Sequence, residues 1–387
     1  MIKIAVISDM HCMHSSSEEN KGNVSTYLYS DDVGKSETRH PIKALKNLIE
    51  REKLSADILL CPGDIANRAD KQGLLTGWTH LEKIRERLAA KCTVATVGNH
   101  DIESRNEEIG NVFLDLQILD PEYPIPSKLQ DIKYWSSGYS FVEIDDILVL
   151  NINSCFFQSN SKTAKKSKID IVQLEAIGNE LTKRDTKSFL YKIVLIHHHP
   201  IAHSNLDYED VDKLDKGDEL ITLVKKYGFQ FVLHGHKHDA RLTVFKSIPI
   251  FCAGSFSSLM NVTDLKSDNT FHMIYLCENE PKGCIKSWIY APQEGWVVRN
   301  DTRFPCFTGF GFSGTISDLG QRISTWLDKN TTNQMAYYDR LKTNFPELDF
   351  LGQDEQKDLS IELLNKYDLE FSPPLPNMPK LIIKQIK

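Results

Sequence analysis

The stretch HGHKHD at residues 234–239 places three imidazoles, His234, His236 and His238, directly behind the apolar run FQFVL at 229–233. A neutral imidazole is the commonest side-chain ligand for borderline transition metals, and a loop at a strand's end can aim alternate side chains into a cleft while the strand holds the backbone still. A solvated histidine-rich turn has the same composition, and so has an expression tag. A tag, however, belongs at a terminus, and this run sits in mid-chain behind a strand that reads as buried.

The same juxtaposition recurs along the chain. Behind IKIAVIS (2–8) stand Asp9 and His11, and behind DILL (57–60) stands Asp64. Behind TVATV (93–97) stand Asn99, His100 and Asp101, and behind KIVLI (192–196) stand His197, His198 and His199, followed by His203. Singly, each has an ordinary explanation: a turn at Gly63 and Asp64, a left-handed Asn99, a helix cap at Asp9. Five strand ends that all deliver metal-type donors are another matter, because ligand sites of α/β folds lie beyond the carboxyl ends of their strands.

The elements that must hold these side chains are read from periodicity. Besides the runs above, GYSFVEIDDILVLNIN (138–153) predicts a hairpin turning near Asp145 and Asp146. A helix opened by Pro41 carries Ile42, Leu45, Leu48 and Ile49 on one face, and Leu74, Trp78, Leu81, Ile84 and Leu88 mark a second. Ile171, Leu174, Ile177 and Leu181 mark a third, behind a capping box of Asp170 and Gln173, and DELITLVKKYG predicts a fourth, stopped by Gly228. This alternation predicts an α/β fold with mixed sheets.

Residues 12–40 lack apolar periodicity and form a long insertion loop, of the kind that is usually functional or disordered. After residue 292 the texture changes, with helical stripes at Ile316, Leu319, Ile323 and Trp326 and at Leu359, Leu363 and Leu364. The expected division is a catalytic domain at 1–292 and a small, mainly helical appendage at 293–387.

Composition narrows the function classes. The 387 residues are 41% hydrophobic and 26% charged, and no apolar stretch approaches the ~20 residues needed to span a bilayer. The opening MIKIAVISDM meets Ser8 and Asp9 too soon for an export signal. Eight cysteines, none in a C-x-x-C pair and several inside apolar runs, fit reduced thiols of a cytoplasmic protein better than a disulfide framework or zinc ribbon. A formal net charge of −7 gives no global attraction to nucleic acid.

The ordered blocks D-x-H, G-D, G-N-H-D, H and G-H-x-H resemble those of the calcineurin-like metallophosphoesterase family, over about residues 2–290. The resemblance implies a metallophosphoesterase-type sandwich of two mixed β-sheets flanked by helices, and a phosphoric ester hydrolase with two divalent transition-metal ions. One ion is then held by Asp9, His11, Asp64 and His238, the second by Asp64, Asn99, His198 and His236, with Asp64 bridging. His198 is selected because the family places this ligand two residues before the proline, which leaves His197 and His199 to structural or orienting roles. Mixed nitrogen and oxygen donors suit manganese, iron or zinc rather than magnesium or calcium. Asp101 is expected to steer His100, His234 and Asp239 to orient neighbouring ligands, and His203 to reach substrate. His14, His80 and His272 are read as ordinary.

The implied reaction is in-line attack on phosphorus by a metal-bound hydroxide, with His100 as the catalytic histidine that stabilises the pentavalent phosphorus or protonates the leaving oxygen. The short spacing between GD and GNHD resembles the phosphodiesterase branch, which acts on nucleotides or other small diesters. Alternatives are a nuclease with a C-terminal capping region, a phosphomonoesterase or protein phosphatase, and a non-catalytic scaffold. The expected partner is a small phosphoester, with nucleic acid open as a substrate and no membrane; the sequence identifies no partner for the appendage.

Overall fold

A computed structural model describes residues 1–385 except 18–23, 33, 105–109, 126–127, 161, 165, 204–211, 261–266, 300–302, 332–333 and 375–376, and at 128–130 the backbone alone. The chain begins β1 (Ile2–Val6), α1 (Pro41–Glu52), β2 (Ile58–Cys61), α2 (Lys71–Arg87), β3 (Thr93–Ala95), α3 (Leu114–Gln117) and α4 (Lys128–Ser137). It continues β4 (Tyr139–Ile144), β5 (Ile147–Ile152), α5 (Ile171–Lys183), β6 (Tyr191–Ile196), α6 (Gly217–Lys226), β7 (Phe231–His234), β8 (Arg241–Phe245) and β9 (Ile248–Cys252). Then come β10 (Thr270–Leu276), β11 (Gly283–Ala291), β12 (Gly295–Val297), β13 (Phe307–Phe310), α7 (Ile316–Asn330), β14 (Met335–Tyr337), α8 (Tyr338–Asn344), α9 (Gln353–Tyr367), β15 (Leu369–Ser372) and β16 (Leu381–Lys384).

Two large sheets face each other. The first has the order β12-β11-β10-β1-β2-β3 with β13 also on β11, and the second runs β4-β5-β6-β7-β9-β8. Both are mixed: β1, β2 and β3 are parallel while β10 runs antiparallel to β1, and β5, β6, β7 and β9 are parallel between antiparallel β4 and β8. Period-two alternation sorts the side chains into layers. Ile4, Val6, Ile58 and Leu60 meet Ile193, Leu195, Phe231 and Leu233 between the sheets. The next residues along the same strands face outward, Ala5 and Leu59 against Leu45, Trp78 and Leu81 of α1 and α2, and Val194, Ile196 and Val232 against Leu174, Ile177 and Leu220 of α5 and α6.

Local signals explain the helix ends. Pro41 stands in the first turn of α1. Asp170 caps α5 by accepting from the Gln173 N–H, and Gln173 answers on the Asp170 N–H; such a cap stabilises by about 1 kcal/mol. Ile171 departs from its expected buried stripe: it occupies the first position of α5 and is exposed, and burial starts at Gln173 and Leu174.

The expected division at 292 cuts through the first sheet. β12 and β13 lie beyond it and both pair with β11. The remaining C-terminal part is mainly helical, and its α7, α8 and α9 pack with a three-stranded sheet of β14, β16 and β15 around Leu319, Ile323, Leu341, Leu359, Leu363 and Ile382. Residues 12–40 are anchored where described: Leu28 is fully buried, and Met13 and Thr26 bridge to Tyr29 and Ser258. Among the described residues no helix is long and apolar enough to cross a membrane.

Candidate metal centre

The carboxyl ends of β1, β2 and β3 in the first sheet and of β6 and β7 in the second open onto one edge of the sandwich, where the predicted donors converge. Asp9, His11, Asp64, His236 and His238 all have left-handed backbones, with φ between 47° and 72°. Such a conformation costs a non-glycine residue on the order of 1–3 kcal/mol and persists only where its surroundings over-determine it. Here they do: the N–H groups of Asp9 and His11 donate to Gly63 O and Asp64 O at 3.0 Å each, and the His236 N–H donates to Asp9 Oδ1 at 3.0 Å. The motif glycines are explained by the same crowding, since a Cβ on Gly98 would collide with Asp64 and one on Gly235 with Asp9.

Two donor groups share one oxygen. In the first, His11 Nε2 lies 3.5 Å from Asp64 Oδ2, His238 Nε2 lies 3.4 Å from Asp9 Oδ1, and the two imidazole nitrogens are 2.9 Å apart. In the second, His197 Nε2 lies 3.4 Å from the same Asp64 Oδ2 and 3.1 Å from Asn99 Oδ1, which is itself 2.9 Å from His236 Nδ1. Ligands bonded to one cation at ~2.0–2.2 Å stand ~2.9–3.5 Å from one another, so these spacings fit two coordination polyhedra that would meet at Asp64.

The rings are also oriented as metal-binding imidazoles are, with the far nitrogen engaged by the protein. His11 Nδ1 is 3.3 Å from Asn67 Oδ1, His197 Nδ1 is 2.7 Å from Pro62 O, and His238 Nδ1 is 3.2 Å from Met260 O. Each Nε2 is thereby left to face the carboxylates.

Electrostatics set the protonation of the metal-free donors, and His197 and His238, both raised by the carboxylates beside them, would give up a proton to an ion. Burial, reinforced by His100 and His238, depresses His11 to about 3, and burial takes His236 to about 4, so both offer lone pairs at neutral pH. Burial alone would raise Asp64, but His197 and His100 hold it well below the usual carboxylate range; in turn Asp64 overcomes the burial of His197 and lifts it to about 9.

Both His197 and His198 stand at the second group. His197 is the imidazole within reach of Asp64 and Asn99, and His198, with Nδ1 2.7 Å from Ser154 Oγ, offers a ligand atom within 4.8 Å of those of His197 and His236. Ile193 and Leu195 of β6 point between the sheets, which carries His197 to the side of Asp64. Asp101 differs from expectation, since both of its oxygens accept backbone N–H groups, from Asp64, Gly98 and Ala66, rather than reaching the His100 ring. His199, His203 and His234 gather behind the centre with Asp239, whose Oδ2 lies 3.3 Å from His203 Nε2.

His100 stands apart from the donor edges. Its N–H donates to Asp64 Oδ1 at 2.8 Å, its ring meets that of His11 edge-on at 4.7 Å, and it lines a cavity of about 640 Å³ with Met13, Arg68, Ile102 and Met260. On the His238 side lies a second cavity of about 250 Å³, bordered by Tyr27, Ser258, Met260, Tyr290 and Arg299. Sequence reasoning missed Asn67, Arg68, Ser154 and Met260, and also Ser255, whose hydroxyl donates to Asp9 O at 2.7 Å. Apart from Arg68, which lines the cavity, they act through single hydroxyls, amides or main-chain carbonyls, which leave no pattern in a sequence.

A family model described as calcineurin-like phosphoesterase matches residues 2–240. The chain belongs to that family. It is a metal-dependent phosphoester hydrolase by membership, and the clustered donors fit the divalent ions such enzymes use. No curated protein matches the sequence. Among solved structures, purple acid phosphatase PPD1 from yellow lupin (Lupinus luteus) seeds shares the fold at 13% identity and a TM-score of 0.51, over 76% of this metallophosphoesterase and 52% of that chain. The chain thus spans about half the length of the lupin protein. Wild-type Vps29 complexed with Zn from Entamoeba histolytica matches at 11% identity and a TM-score of 0.34, over 74% of this chain and 92% of that one.

Proposed function

We propose that the protein hydrolyses small phosphodiesters of nucleotide size at a two-metal centre, with Asp9, His11, Asp64 and His238 around one ion and Asp64, Asn99, His197 and His236 around the other. The observation that carries the diester reading is the pair of cavities flanking the donors, one against His100 and one against His238. A phosphomonoester has one substituent to lodge, whereas a diester has two. Manganese, iron or zinc ions in these positions supply a lowered water pKa and positive charge for the phosphoryl oxygens. His100, off the donor edges and facing the larger cavity, hands a proton to the departing oxygen. The same wall carries Arg68 together with Asp70 and Glu103, so the anionic phosphoryl group is left to the metal centre and the cavity lodges the substituent. The cysteines are free thiols, which supports a reducing, cytoplasmic setting.

The test is a comparison of kcat/KM for bis(p-nitrophenyl) phosphate, p-nitrophenyl phosphate and short single-stranded DNA, all with manganese-loaded protein. The diester should lead by about tenfold or more. A lead for the monoester would make the enzyme a phosphomonoesterase, and a lead for DNA a nuclease.

A further inference from the structure

Behind the donors already described lies a second convergence of ligand-type side chains with a different chemistry. His203, His234 and Cys252 each offer a ligand atom within 4.8 Å of the others, and all three are buried. They come from three segments: the loop after β6, the end of β7 and the end of β9, where Cys252 stands directly opposite His234 in the parallel register. The group lies one ring away from the binuclear donors. His199 has its ring centroid 6.3 Å from those of both His203 and His234, and it stacks on His236 at 6.0 Å and 13°.

We propose that His203, His234 and Cys252 form a third metal site, for a borderline divalent ion of the zinc class. Two imidazoles and a thiol are the donor set of closed tetrahedral N/S sites, and the sulfur separates this site from the purely nitrogen and oxygen donors of the other two. The surroundings orient the donors. His234 Nδ1 lies 3.0 Å from Gly235 O, which makes it the protonated nitrogen and leaves the lone pair on Nε2. His203 is fixed by Asp239 Oδ2 at 3.3 Å from its Nε2, and its carbonyl accepts from Arg241. Asp239 is itself held, with Arg303 and Ser267 on its other oxygen at 3.3 and 3.4 Å, and a solvent molecule would complete the shell. Burial pushes the Cys252 thiol up to about 12, so the thiol keeps its proton until an ion displaces it and the proton leaves to solvent. An ion here ties β7, β9 and the loop after β6 together immediately behind the loop that carries His236 and His238, and so fixes the backbone that aims them.

The test uses the full chain, stripped with a chelator and reloaded with Co²⁺, with elemental analysis of zinc-loaded protein alongside. Thiolate bonded to cobalt absorbs in the near ultraviolet, and nitrogen and oxygen donors do not supply that band. The wild type should show it, Cys252→Ser should lose it, and both Cys252→Ser and His203→Gln should hold one zinc fewer per chain than the wild type. The assignment is overturned if the wild type shows no thiolate band, if the band survives Cys252→Ser, or if metal content is unchanged in folded His203→Gln. The wild-type spectrum decides even if Cys252→Ser does not fold, and none of these readouts depends on turnover or on the fate of the diester reading.

Discussion

Asp101 accepts the backbone N–H of Asp64 at 3.0 Å through the same oxygen that accepts from Gly98 at 2.9 Å. Its other oxygen accepts from Ala66 at 2.8 Å, so one buried carboxylate ties the loop after β2 to the loop after β3. Asp101→Asn puts an amide N–H₂ where one of these acceptors stood and turns it against backbone donors. Supports of this kind are worth about 10–100-fold in metal affinity or activity. We expect a loss of that size in kcat with unchanged circular dichroism; wild-type kcat and metal content in the variant would show that the loops hold Asp64 without it.

His100→Ala should leave the metal content intact, because no donor edge uses this ring, while turnover falls by about 10²–10⁴. The loss should shrink as the leaving group improves, since a better leaving group needs less protonation. Kinetics on a series of substituted phenyl diesters, read beside elemental analysis, check both parts.

His197→Ala and His198→Ala discriminate the register of the three consecutive histidines. His197→Ala should release one ion per chain in equilibrium dialysis and lower turnover by at least about 10²-fold, whereas His198→Ala should retain its ions, since it is His197 that reaches Asp64 and Asn99. The reverse result would return the ligand role to His198.

Tyr27 meets Tyr290 edge-on at 5.2 Å on the wall of the smaller cavity. Removing the ring with Tyr27→Ala should raise KM several-fold for nucleotide-sized diesters and leave kcat for a small model diester within about twofold, a pattern expected of lost uniform binding. Equal effects on large and small substrates would mean that this cavity does not take a substituent.

His272 is fully buried, with Nδ1 and Nε2 each 2.7 Å from an oxygen, of Ser287 and Ala253, and burial depresses it to about 4. The unfolded chain binds a proton near pH 6.5 and the folded chain near 4, so stability present above pH 6.5 is lost as the pH falls through that window. One proton over that interval amounts to on the order of 3 kcal/mol. Urea midpoints of metal-stripped protein between pH 7 and 4 should fall less steeply for His272→Gln than for the wild type; parallel curves would locate the acid sensitivity elsewhere.

The strand ends were legible because buried strands in this fold are short β-branched runs: KIVLI announces β6 and IKIAVIS announces β1. The capping box at Asp170 was legible because its chemistry is local. The register inside HHHP was less so, since three identical residues differ only in the side they face; carrying the alternation of β6 past Ile196 puts His197 on the side of Asp64, with His198 still beside His236. β12 and β13 escaped notice because GWV and FTGF are interrupted by glycine and lack the β-branched run that marks the equally short β2, β3 and β7. Asp101 was placed in the right neighbourhood with the wrong contact, because which backbone groups surround a carboxylate is decided by chain segments far apart in sequence.

Each donor set of the two-metal centre draws on both sheets. Asp9, His11, Asp64 and Asn99 leave the first, and His197, His236 and His238 leave the second, so neither sheet alone presents a complete shell at this centre. An ion bound here works as a clasp across the seam, and the seam works as a caliper for the ion. Uptake of this pair of ions during refolding therefore times the docking of the two halves rather than the formation of either. Conversely, a substitution at the inter-sheet face, such as at Leu60 or Leu195, far from any donor, resets the spacing between the jaws and reaches the chemistry through packing alone.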